Sequence, residues 1–285
     1  MILNTAQATV IVTLKPIHAL VSGVMADLGQ PQLLLSGSET PHTFSLRPSQ
    51  VKQLHQAELI VWVGPHLEHF LKKVLTTLND KVTVLTLIEV EALTRLTRRA
   101  GGIWAQASTT ESALDPHIWL NPQNAQIIVK AIAQSLSQVD PQHQHHYQHN
   151  SAQLLHQLEQ LDQALQQQLK AVQDRPFLVF HDAYQYFEKH YQLNALGALQ
   201  VSSEQKPGAQ RLYQLRQMIQ QSAISCVFKE PQFNNTLAQT VVEDSAARIA
   251  TLDPLGIELE AGSQAYFELL KNLARSLTQC LKGVD

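Results

Sequence analysis

The chain has 285 residues, of which 44% are hydrophobic and 16% charged, with a net charge of −3. It is long enough for two cores of roughly 100–150 residues each. The charge balance excludes a basic field for nucleic acid and a polybasic strip for a membrane surface. No apolar run approaches the roughly 18–20 residues of a spanning helix, so direct membrane insertion is not expected.

Nothing basic and long-apolar precedes Thr9, so a full signal peptide is absent from the sequence. Ala6-Gln7-Ala8 has the small-x-small form of a signal-peptidase site. Residues 1–8 are therefore read as the remnant of a truncated export signal.

In the first half, short β-rich runs alternate with helical patterns. Thr9–Leu14 reads as a strand, and Pro16–Leu28 as a helix with proline near its start. Gln32–Ser36 is a second strand, leading into a loop from Gly37 to Arg47. Pro48-Ser49 opens a short helix, and Glu58–Gly64 is an apolar strand. A helix over Pro65–Leu78 and a strand over Val82–Leu87 follow, and residues 88–114 lose the pattern. Alternation of apolar strands with helices predicts a parallel sheet covered on both faces.

Pro122–Ser137 reads as a helix, and after Asp140-Pro141 comes the longest helical pattern, ending near Val172. Its apolar stripe is Leu154, Leu158, Leu161, Leu165, Leu169 and Val172, stepping by three or four. The second half repeats the first. Strands are expected at Phe177–Phe180, Ala195–Val201, Ser225–Lys229 and Arg248–Leu252. Helices are expected at Ala183–Tyr191, Gly208–Ser222, Asn234–Ser245 and Gln264–Leu281. The expected fold is α/β: two Rossmann-like lobes with parallel sheets, 9–138 and 174–285, joined by one long rigid helix, 141–173.

Three histidines fall where strands hand over to loops or helices. They are His42 in Thr40-Pro41-His42-Thr43, His117 in Asp115-Pro116-His117-Ile118-Trp119, and His181 at the end of Pro176-Phe177-Leu178-Val179-Phe180. Asp253, in Thr251-Leu252-Asp253-Pro254, also follows a strand. In open parallel sheets ligands bind beyond the carboxyl ends of the strands. With His42 and His117 assigned to the first lobe and His181 and Asp253 to the second, the four are expected to form a metal site in the interlobe cleft. Three imidazoles with one carboxylate or water suit zinc. They also describe a mononuclear zinc hydrolase, but no HExxH helix appears.

His18 lies where the first strand turns into a helix, near enough for a place beside the site. His145 and His149 have the i, i+4 spacing of a helix-borne metal pair within a histidine-rich stretch from His143 to His156. A solvated face is the plainer reading of that stretch. Only two cysteines occur, Cys226 and Cys280. In a reducing compartment they would be ordinary thiols, and in an exported protein an isolated pair points to a disulfide.

The chain resembles the metal-specific solute-binding proteins of ABC importers, nearest to their ZnuA-type zinc-uptake group. The resemblance rests on Ser45-Leu46-Arg47-Pro48-Ser49, Val61-Trp62-Val63-Gly64-Pro65, Asp115-Pro116-His117-Ile118-Trp119-Leu120 and Phe180-His181-Asp182-Ala183-Tyr184. It continues through Lys206-Pro207-Gly208-Ala209-Gln210-Arg211, Glu230-Pro231-Gln232-Phe233 and Thr251-Leu252-Asp253-Pro254-Leu255-Gly256. It implies a monomeric periplasmic protein, not an enzyme, that carries Zn²⁺ to the membrane permease of an ABC importer. It implies His42, His117 and His181 as zinc ligands, Asp253 at or near the metal, and a disulfide between Cys226 and Cys280. Manganese-binding relatives place a carboxylate at the position of His181, which favours zinc over manganese here. Many zinc-binding relatives carry a histidine-rich loop where this chain has residues 88–114, which contain no histidine.

Overall fold

The structure, a computed structural model, describes residues 8–37, 39–99, 104, 114–200 and 207–282. The expected export remnant therefore lies, except for Ala8, outside the described residues, as do most of residues 100–113. The chain divides into two compact units, and each holds one four-stranded parallel sheet. Among the described residues no helix is long and apolar enough to cross a membrane.

The first unit comprises residues 1–94, 122–160 and 258–268. Its strands are β1 (Val10–Val12), β2 (Gln32–Leu33), β3 (Leu59–Trp62) and β4 (Thr83–Thr86), in the order β2-β1-β3-β4. Every residue of β1 and β3 is buried, as central strands covered on both faces require. Helix α1 (Lys15–Met25) starts with Pro16 in its first turn, where a missing N–H costs nothing. It packs on α4 (Pro122–Val139), whose Ile128, Val129 and Ile132 are fully buried. A further helix, α2 (Pro48–Gln56), precedes β3.

The helix expected over Pro65–Leu78 does not form. In its place are a 3₁₀ turn at His69–Leu71 and one helical turn, α3 (Lys72–Leu75). The cause is Glu68, whose backbone is non-helical (φ −93°, ψ 63°) and whose carboxylate is fully enclosed. Glu68 accepts hydrogen bonds from the Thr13 hydroxyl at 2.6 Å and from the amides of Val63 at 3.0 Å and Gly64 at 2.9 Å. Satisfying a buried carboxyl in this way outweighs helical periodicity, because an unpaired one would cost several kcal/mol. Burial still raises its pKa to about 7. Gly64 turns the chain with φ +147°, and a Cβ there would meet Ile88 Cγ2 at 2.7 Å.

The long helix is present as α5 (Gln144–Leu169), flanked by 3₁₀ turns at Pro141–His143 and Lys170–Val172. All six residues of the expected stripe, Leu154 to Val172, are buried. Leu154 sits where a Cβ on Gly23 of α1 would be, 2.9 Å from its Cδ2.

The second unit comprises residues 95–121, 161–257 and 269–285. Its strands β5 (Phe177–Val179), β6 (Ala195–Ala198), β7 (Cys226–Lys229) and β8 (Arg248–Thr251) run in the order β6-β5-β7-β8. This repeats the topology of the first sheet. Among the described residues this unit also holds the α-helices α6 (Gln185–Tyr191), α7 (Ala209–Gln221), α8 (Thr236–Val242) and the greater part of α9 (Ala265–Lys282). A core of Leu178, Phe180, Leu199, Leu215, Ile219, Val227 and Val241 joins β5 and β7 to α7 and α8.

Two segments group differently from the sequence expectation of lobes at 9–138 and 174–285, and of these residues 258–268 fall in the first unit. Residues 95–121, which carry His117, belong to the second unit. The reason is a set of tertiary hydrogen bonds. The Tyr186 hydroxyl accepts from Leu96 N at 2.9 Å and donates to Asp115 O at 3.0 Å, and Trp119 Nε1 donates to Pro254 O at 2.8 Å.

Cys226 of β7 and Cys280 of α9 are disulfide-bonded, with Cα atoms 6.0 Å apart, an ordinary spacing for such a bond. The bond ties a central strand to the C-terminal helix across a sequence separation of 54. Replacing both cysteines by serine is expected to lower the unfolding free energy by about 2–4 kcal/mol in denaturant titration. Thiol counting on the denatured, unreduced protein is expected to find none, and two titratable thiols would overturn the bond.

Candidate metal centre

His181 lies two residues beyond β5. Parallel pairing of β5 with β7 sets Phe177 beside Cys226 and Leu178 beside Val227. Carried forward in the same register, that offset brings His181 level with Glu230, the residue after β7. The side chains meet there: His181 Nδ1 donates to Glu230 Oε1 at 2.6 Å, and both residues are buried. A carboxylate can only accept, so Nδ1 carries the hydrogen and Nε2 presents the lone pair.

His117 is built the same way from local sequence. Asp115 Oδ1 accepts from His117 Nδ1 at 2.7 Å and from the His117 amide at 3.0 Å. The intervening Pro116 keeps the segment extended enough for that turn. The rings of His117 and His181 are 5.4 Å apart, centre to centre, at 62°.

The two imidazoles differ electrostatically. Burial, reinforced by the neighbouring His181, holds His117 well below the ordinary histidine pKa. Burial also opposes charge on His181, but the Glu230 carboxylate outweighs it and the net shift is upward. Burial pushes Asp115 up to about 7.

His42 follows β2 in the loop expected for it, half-buried, with its amide donating to Thr40 Oγ1 at 3.4 Å. Among the described residues, His42, His117 and His181 form a group whose potential ligand atoms all lie within 4.8 Å of one another. Asp253 is not in that group. Its Oδ1 accepts from the amides of Leu255 at 3.0 Å and Gly256 at 2.9 Å, and Oδ2 from Ile257 at 2.6 Å. That carboxylate caps the turn after β8. His18 is a satisfied core histidine: Nε2 donates to Pro31 O at 2.9 Å, Ser22 Oγ donates to Nδ1 at 3.4 Å, and burial lowers its pKa.

Sequence reading left three supporting elements unassigned. Asp115 was open to detection, since an Asp-Pro-His run places a carboxylate two residues before the imidazole. Glu230 was visible only as a strand-end carboxylate, because its partner is set by sheet register. Arg99 had no local signal. Its guanidinium bonds both oxygens of Asp182, the neighbour of His181, and donates to Glu188 Oε2 at 2.6 Å. It also stacks 3.4 Å over the ring of Trp104. Burial holds Glu188 up to about 7 despite that cation.

Residues 10–280 match the family described as "Zinc-uptake complex component A periplasmic". The high-affinity zinc uptake system protein ZnuA of Brucella abortus is 38% identical, with 95% of this chain and 91% of that protein covered. The protein of the same name from Yersinia pestis is 33% identical, covering 98% of this chain and 93% of its own length. A crystal structure of ZnuA superposes with a TM-score of 0.83 at 27% identity, over 97% of this chain and 100% of that one. The chain belongs to the ZnuA family, solute-binding components of zinc-uptake systems rather than enzymes.

Proposed function

We propose that this protein captures Zn²⁺ in the periplasm through His42, His117 and His181 and delivers it, as a monomer, to the membrane permease of an ABC-type importer. The observation that carries the reading is the convergence of three imidazoles within 4.8 Å. Ligand atoms around a tetrahedral zinc with bonds of about 2.1 Å sit roughly 3.4 Å apart. Drawing the three nitrogens in by roughly an ångström would therefore close the site around the ion.

The donor set selects the cargo. Neutral imidazoles suit zinc, whereas manganese prefers harder oxygen ligands. Carboxylates behind His117 and His181 orient each ring and raise the basicity of the other nitrogen. The fourth position falls to Asp253 or to water. A carboxylate oxygen can accept more than one contact, so Asp253 Oδ2 can serve a metal while holding its turn amide.

Alanine at His42, His117 or His181 is expected to remove most zinc affinity in competition with a chromophoric chelator, while far-ultraviolet dichroism stays unchanged. A His181→Ala variant that binds zinc like the wild type would remove the assignment.

Zinc affinity is expected to fall on mild acidification. Ligation needs neutral imidazole, and protons compete for it. His181, with its raised pKa, is the first of the pair to take up a proton as pH falls, and His117 stays neutral to lower pH. Affinity should thus rise with pH until His181 is fully deprotonated, and binding near neutrality should release protons. Calorimetry in buffers of different ionisation enthalpy measures that release, and an affinity independent of pH through the histidine range would contradict it.

His181→Glu is expected to narrow the preference for zinc over manganese, mainly by weakening zinc, since Irving–Williams order still favours zinc. Parallel titrations with both ions give the ratio. An unchanged ratio would place His181 outside the ligand set.

A further inference from the structure

The start of α5 carries histidines that the zinc centre does not use. His145 and His149 are both exposed and stand at i and i+4 on a regular helix of 26 residues. Neighbours at that spacing have Cβ atoms about 5–6 Å apart on one face, the arrangement by which a helix offers two imidazoles to one ion. His146, also exposed, lies one helical turn from His149, and its ring centre is 6.2 Å from that of His143.

The helix around this pair is held by three hydrogen bonds. Asp140, just before the helix, accepts from His143 Nδ1 at 2.6 Å and from the Tyr147 hydroxyl at 2.8 Å. Asn150 Nδ2 donates to Val24 O of α1 at 3.0 Å. Tyr147 is buried, so the side of α5 that carries it faces the protein while the two imidazoles face solvent. A helix anchored on both sides of the pair presents its ligands without first having to be ordered, which lowers the entropic cost of binding.

From this geometry we infer that His145 and His149 form a second, weaker site for a borderline divalent transition ion such as Zn²⁺, Ni²⁺ or Cu²⁺, completed by water. Two imidazoles without a carboxylate give nothing to a hard ion such as Ca²⁺ or Mg²⁺. His143 lies outside the clamp because it stands two positions from His145 and six from His149, spacings that do not bring side chains together on one face of a helix. His156 is excluded by distance: seven residues of helix place it roughly 10 Å beyond His149. It is also engaged by Gln160, whose Nε2 donates to His156 Nε2 at 3.0 Å. The site stands independently of the three-histidine centre and shares no residue with it.

Titration of the purified full chain with Zn²⁺ at neutral pH tests this directly. Wild type is expected to show one tight and one weaker equivalent. H145Q/H149Q should lose only the weaker equivalent, and a variant with alanine at His42, His117 and His181 should lose only the tight one. H156Q should retain both. Absence of a weaker equivalent from wild type, its survival in H145Q/H149Q, or its loss in H156Q would each overturn the assignment. Loss of the tight equivalent is read separately, so failure of the zinc-centre reading and failure of this one give different results. Glutamine keeps the helix propensity of these exposed positions, so loss of binding reflects loss of the imidazoles.

Discussion

The bond from His181 Nδ1 to the Glu230 carboxylate, 2.6 Å long and enclosed by protein, is the constraint that fixes the histidine side chain at the end of β5. A hydrogen bond to a charged group contributes about 1.5–3 kcal/mol, and removing one partner of a buried pair costs about 3–5 kcal/mol. Such a pair persists only if both ends are placed accurately. Adjacent parallel strands do this well, because register is periodic and stiff. The residue after β7 and the residue two beyond β5 arrive side by side, and the ring is left in the one tautomer whose lone pair is on Nε2.

The same logic extends outward from His181. Asp182 follows it directly and is held by Arg99, which also holds Glu188 of α6. One guanidinium therefore fixes the turn after β5 and the helix beyond it. Glu188 and Asp115 are both pushed up to about 7 by burial, so this region keeps carboxyl groups out of water at considerable cost. Buried charge of this kind is weak support for stability, and its retention fits a role in positioning His117 and His181. The first unit has a comparable device in Glu68, which gathers Thr13, Val63 and Gly64 and stops the helix expected there.

Elements with strong local periodicity were legible in the sequence. The stripe from Leu154 to Val172 repeats every three or four residues over a long span, so the helix and its buried face follow from local pattern alone. The apolar runs around Val10, Ile60, Leu178 and Val227 likewise read as strands of parallel sheets, and the structure makes them the central ones. The interval Pro65–Leu78 was misread because helical spacing is weaker information than one enclosed carboxyl demanding three donors. The grouping of residues 95–121 with the second unit was also beyond local reading. It depends on Tyr186, Pro254 and Asp182, which are distant in sequence and carry no mark of their partner.

The sequence by itself determined residue types and local geometry: two α/β repeats, a long amphipathic helix, and histidines at the ends or sequels of strands. It also determined the Asp115–His117 pair, since two residues and a proline suffice to bring those groups together. Tertiary structure alone decided which carboxylate stands behind His181 and that His18 is a core residue bonded to Pro31. The reason is physical. Periodicity and turn chemistry act over a few residues, whereas hydrogen-bond satisfaction of a buried group is settled by whatever the packed sheet and loops bring within about 3 Å of it.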